Sequence, residues 1–222
     1  MIYILLFTSV FIGYLLALIL KVKEVKTLSI YLAFSGAFLL ALTIFELLPE
    51  VYKGPTESIG VYIISGILLQ IVLEFFSQGA EHGHVHINKH NNSFPWILFI
   101  SLSIHALLEG VPITENNNLL IGIMVHKIPI ALILSVFFIK ANYKKTTILL
   151  FLFLFGLMTP LGNWLSNNFE ITQNYHREIT AVAIGVFFHV STTILFESSK
   201  NHQFNVSKMS AVILAIVIAY FL

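Results

Sequence analysis

The chain has 222 residues, 57% of them hydrophobic and only 10% charged, with a mean hydropathy of +0.88. Soluble domains carry roughly 25% charged residues, so a water-soluble fold is excluded and most of the length is expected in lipid. A net charge of +1 with no basic patch of interleaved aromatics argues against nucleic acid as a partner, and the absence of cysteine excludes disulfides and thiolate metal sites.

A membrane helix needs roughly 20 predominantly apolar residues. Such stretches fall at Ile2–Leu20, Leu28–Leu48, Ile59–Phe76, Phe94–Ile113, Leu119–Ile139, Thr146–Leu165, Ile179–Phe196 and Met209–Leu222. They predict an all-α integral membrane protein of eight transmembrane helices joined by short polar connections. The first stretch lacks a positive leader region and a small-x-small cleavage motif before Lys21, so it reads as a retained helix. The last is short and is expected to begin a few residues earlier. Residues 1–222 read as a single transmembrane domain, with a His-rich loop at 77–93 that carries His82, His84, His86 and His90.

Lysine placement sets the orientation. The odd-numbered loops hold Lys21, Lys23, Lys26, Lys89, Lys140, Lys144, Lys145, Lys200 and Lys208, whereas the even loops hold only Lys53 and Arg177. The odd loops are therefore expected on the cytoplasmic side and both termini outside, in a chain resident in the plasma membrane.

The chemistry concentrates in spans four and five. His105 and Glu109 stand four residues apart, which puts them on one helix face about 6 Å apart along the axis. His126 lies in the next span, with Pro112 and Pro129 nearby to interrupt the backbone hydrogen bonding. Ionisable side chains at bilayer depth are expensive and mark functional sites. Imidazole and carboxylate together suit zinc or another first-row divalent ion. The competing bland reading has His105 bonded to a helix neighbour and Glu109 at a helix end. Glu46, near the outer end of span two, reads as a pathway residue or an ion-pair partner for Lys127. Gln70 and Glu74, one turn apart in span three, and His189 in span seven are further candidates for the pathway or for supporting contacts. The loop histidines read as a weak divalent-metal site.

The ordered motifs resemble the ZIP (Zrt/Irt-like) metal transporters. His105-Ala106-Leu107-Leu108-Glu109-Gly110 is similar to the fourth-span signature of that family, and His126-Lys127-Ile128-Pro129 to its fifth. Glu46-Leu47-Leu48-Pro49-Glu50, Thr159-Pro160-Leu161-Gly162 and the stretch from Ala183 through His189 to Glu197 resemble the ends or interiors of spans two, six and seven. The resemblance implies a 3+2+3 bundle with metal held between spans four and five, and a homodimer as one form the protein can take. It departs at Ile130, where many members carry a carboxylate, and at Lys127, where two-metal members place a ligand. These departures imply one transport metal, held by His105, Glu109 and His126, with the Lys127 ammonium standing in for a second cation and neutralising Glu109.

The resulting expectation is a transporter that moves divalent metal, zinc foremost, into the cytoplasm by alternating access. The metal is its substrate, and no prosthetic group is expected. With no Gly-rich nucleotide-binding loop in the sequence, the driving force falls to ion gradients or membrane potential. A membrane-embedded metalloenzyme with Glu109 as base, and a metal-binding sensor that does not transport, are the alternatives.

Overall fold

The structure, a computed structural model, describes residues 1–20, 28–54, 57–79, 94–114, 118–197 and 206–222. Among these the chain is all-helical, with no β-strand. We number the long helices α1 (Ile2–Leu20), α2 (Ser29–Val51), α3 (Ile59–Ser77), α4 (Trp96–Gly110), α5 (Leu119–Lys140), α6 (Lys145–Asn168), α7 (His176–Glu197) and α8 (Val206–Phe221). A five-residue helix, Glu170–Asn174, lies between α6 and α7. In lipid a backbone polar group has no water to turn to, so an apolar stretch of this length satisfies itself as helix. Thr43, Ser101, Ser135, Thr192 and Thr193 go further and return their hydroxyls to carbonyls of their own helix.

Six of these helices, α1 to α3 and α5 to α7, are long and apolar enough to cross a membrane. Helices α4 and α8 are shorter, at 15 and 16 residues. The difference from the expected fourth span, Phe94–Ile113, has a local cause. Pro95 is the residue before the first turn, and Pro112 has no N–H to return to Leu108, so two prolines bracket α4. Helix α8 begins at Val206, three residues before Met209, as the shortness of the last apolar stretch anticipated.

Proline also shapes α2. Pro49 cannot donate to Phe45, and the helix widens over Thr43–Leu47 into a π-helical turn in which the Leu48 N–H reaches Thr43 O. This widened turn carries Glu46. Such π-turns are frequent at functional sites.

Helix α5 is the most deeply buried of the six long apolar helices, and α1 and α3 are the least. The outward faces of α1 and α3 carry Ile4, Leu15, Ile19, Val61, Ile64 and Phe75, as lipid contact requires. Four pairs carry most of the packing: α1 on α5, α2 on α8, α3 on α7 and α4 on α6. One apolar core joins α1, α4, α5 and α6 through Val10, Leu102, Ile130, Leu134, Phe138, Phe151 and Phe155. Another joins α2 to α8 through Phe38, Leu42, Ala215 and Ala219. Lipid tails are as apolar as leucine, so close van der Waals contact replaces the hydrophobic effect as the force between helices. The α3–α7 crossing shows it: a Cβ on Gly66 would lie 2.0 Å from Val182 O, and one on Gly185 2.0 Å from Ile63 O.

Candidate metal centre

Helix α4 delivers His105 and Glu109 from one face, and His105 Nε2 lies 3.0 Å from Glu109 Oε1. Helix α5 delivers His126, whose Nε2 is 4.0 Å from the same oxygen. The three potential ligand atoms all lie within 4.8 Å of one another, and all three residues are buried. Two imidazole nitrogens and one carboxylate oxygen match the donor set of three-ligand zinc sites that keep a position open for water or substrate. Among the described residues, this is the group of three His or acidic side chains that converges closely enough to hold a metal ion.

The second carboxylate oxygen is engaged differently. Lys127 Nζ lies 2.7 Å from Glu109 Oε2, with the lysine 2% exposed and the glutamate 1%. The ammonium also sits 4.7 Å from the centroid of the Phe155 ring on α6, within cation–π range. The Thr159 hydroxyl approaches the same Oε2 at 3.5 Å. Glu109 therefore turns one oxygen toward the histidines and the other toward the Lys127 ammonium. A buried charge pair of this kind is weak evidence for stability, but losing one partner is severe.

Contacts from other helices hold these side chains in place. Gln70 Oε1 on α3 accepts a hydrogen bond from His105 Nδ1 at 3.1 Å. Asn163 Nδ2 on α6 donates to Gly110 O at 3.2 Å and to Ile113 O at 2.8 Å, two carbonyls at the C-terminal end of α4, the first of which also accepts from the Ile113 N–H at 3.4 Å. Glycine brings α4 and α6 close enough for this: a Cβ on Gly110 would lie 2.2 Å from Thr159 O, and one on Gly162 2.0 Å from Leu107 O.

The remaining expected residues lie elsewhere. The Glu46 carboxylate accepts from the Asn118 backbone N–H at 2.9 Å and from its side-chain amide at 3.0 Å, anchoring the start of α5. An ion pair between Glu46 and Lys127 is not what forms: Lys127 takes Glu109, which shares its buried layer, while Glu46 is drawn to the part-buried amides of Asn118 at the helix start. Glu74 and His189 meet across the α3–α7 contact at 2.5 Å, both partly exposed, as a pair separate from the central three. Ile130 packs into the apolar core of α1, α4, α5 and α6. His82, His84, His86 and His90 lie outside the described residues. Sequence reasoning did not single out Thr159, Asn163 or Phe155 as site residues. Thr159 heads the Thr-Pro-Leu-Gly motif, and Asn163 follows it as a polar residue inside an apolar helix, which was the signal available.

The family model described as "ZIP Zinc transporter" matches residues 77–221, which takes in the whole site apart from Gln70. The chain belongs to the ZIP zinc transporter family. Among relatives, the Danio rerio protein named zinc transporter ZIP1 is 37% identical over 89 residues, covering 37% of this chain and 30% of that protein. The Dictyostelium discoideum protein zntD is 29% identical over 150 residues, covering 58% of this chain and 22% of its own length. A zinc transporter ZIP1 from Takifugu rubripes is 30% identical over 89 residues, with coverage of 37% and 30%. The chain thus spans less than a third of the length of the curated relatives it matches. ZIP family members are transporters, and this chain is an integral membrane protein of that family.

Proposed function

We propose that this ZIP-family chain carries a divalent metal ion, zinc by preference, across the membrane into the cytoplasm by alternating access around a single His105–Glu109–His126 site. The observation that carries the reading is the convergence of those three buried side chains between α4 and α5 at apolar depth. Ionisable side chains inside a membrane are expensive and mark functional sites. Zinc fits because two imidazoles and one carboxylate are its usual protein donors.

Residues 1–222 act in this proposal as one transporter domain arranged as 3+2+3, with α4 and α5 as the central pair. Lysine-rich odd loops face the cytoplasm of the plasma membrane, both termini lie outside, and His82, His84, His86 and His90 receive metal on release. Lys127 restrains affinity: it shares the Glu109 charge, so the cargo meets two imidazoles and a carboxylate that already has a cationic partner. That favours release over storage. Homodimers are one assembly the family resemblance supports.

The test is uptake of radioactive zinc into proteoliposomes, wild type beside His105→Ala, with iron and manganese as competitors. The expected result is uptake by the wild type that the variant loses while still inserting. Normal uptake by His105→Ala would sink the proposed site. A sensor reading draws on one observation, the occupation of Glu109 Oε2 by Lys127. Zinc binding with no flux by the wild type would favour it.

A further inference from the structure

We infer that Gln70 is the residue that positions His105 for metal, by holding its ring so that Nε2 faces the site. This rests on the reading of His105 as a ligand. The contact comes from α3, a helix that supplies none of the three ligands and whose main packing partner is α7.

An imidazole offers two nitrogens, and only one can face the cargo at a time. Gln70 Oε1 accepts the Nδ1 hydrogen at 3.1 Å, and Nε2 then points to Glu109 Oε1 at 3.0 Å, inside the cluster that His126 completes. Metal-binding histidines almost always donate their second ring N–H to such an acceptor, which fixes both tautomer and orientation. Gln70 is itself fully buried, at 0% exposed. A buried amide is costly without hydrogen bonds, and packing alone would be served by leucine at this place in an apolar helix. The choice of an amide facing a ligand imidazole is what its position explains.

The acceptor role and a packing role make different predictions. Gln70→Leu keeps the volume and removes the acceptor. Gln70→Glu keeps an acceptor in place. Zinc affinity is measured by competition with a chelating dye on the full chain in detergent, in a background with the four loop histidines replaced by alanine. Losing a contact of this type typically weakens metal binding by about 10- to 100-fold. The expected pattern is that loss in Gln70→Leu, recovery to near wild type in Gln70→Glu, and in vesicles a raised KM for zinc in Gln70→Leu that Gln70→Glu reverses. If Gln70→Leu does not purify as a monodisperse protein, Gln70→Asn, whose shorter side chain cannot reach the ring, carries the same expectation. Wild-type affinity in Gln70→Leu or Gln70→Asn overturns the inference, as does an equal loss in Gln70→Glu. His105→Ala runs alongside. If it binds zinc normally, the site reading itself fails. If it loses zinc while Gln70→Leu does not, only the positioning role fails.

Discussion

Replacing Lys127 by methionine isolates the charge balance around the buried Glu109 carboxylate. Methionine keeps most of the side-chain volume, and its thioether suits the neighbouring Phe155 ring, so the main loss is the ammonium 2.7 Å from Glu109 Oε2. The carboxylate left behind is 1% exposed. Removing one partner of a buried charge pair costs about 3–5 kcal/mol. A bound divalent cation restores the missing compensation, so the penalty falls on the metal-free protein and reappears as binding energy. At about 1.4 kcal/mol per tenfold, the ceiling is an affinity gain of roughly two to three and a half orders of magnitude. The assays are dye competition for zinc affinity and thermal melting in detergent with and without zinc. Metal-free Lys127→Met should melt lower than wild type, and the zinc-loaded forms should melt alike. Zinc uptake into vesicles should saturate at lower concentration with a lower maximal rate, because tighter holding slows release. A lower metal-free melting point with unchanged or weaker zinc affinity would refute the reasoning, since Lys127 would then support Glu109 without competing with the cargo.

Gly162→Ala would push a methyl group to within 2.0 Å of Leu107 O. Forcing α4 from α6 this way should cost about 1–3 kcal/mol, read as a drop in melting temperature, and an unchanged melt would show that the crossing is looser than described. Asn163→Leu removes both hydrogen bonds to the end of α4 and should cost about 1–3 kcal/mol; melting that matches wild type would mean those carbonyls find other donors. Glu46→Ala removes the anchor on Asn118. Hydrogen bonds to a charged group contribute about 1.5–3 kcal/mol, so stability should fall while zinc affinity holds. A fall in uptake at unchanged stability would instead place Glu46 on the entry route.

Much of this molecule is determined locally and was legible in the residues. Apolar runs of membrane length become helices because lipid leaves the backbone no other partner, and α1 runs from Ile2 to Leu20 as its composition dictates. The four-residue spacing of His105 and Glu109 puts both on one face of any helix that contains them. Local proline chemistry sets the ends of α4 and the widened turn in α2, although the widening itself was not foreseen. The contacts between helices are of another kind. Gln70 meets His105 across 35 residues, Asn163 meets Ile113 across 50, and Glu74 meets His189 across 115. The sequence by itself determined the helices, their polar faces and the three side chains, His105, Glu109 and His126, that stand out from an apolar background. Only the tertiary structure decided that Lys127 pairs with Glu109 and not Glu46, that Gln70 faces an imidazole, and that Asn163 closes the end of α4. The physical reason is that helix periodicity orders neighbours along one chain segment, whereas partners across a bundle depend on crossing points set by side-chain size, such as those that Gly110 and Gly162 allow.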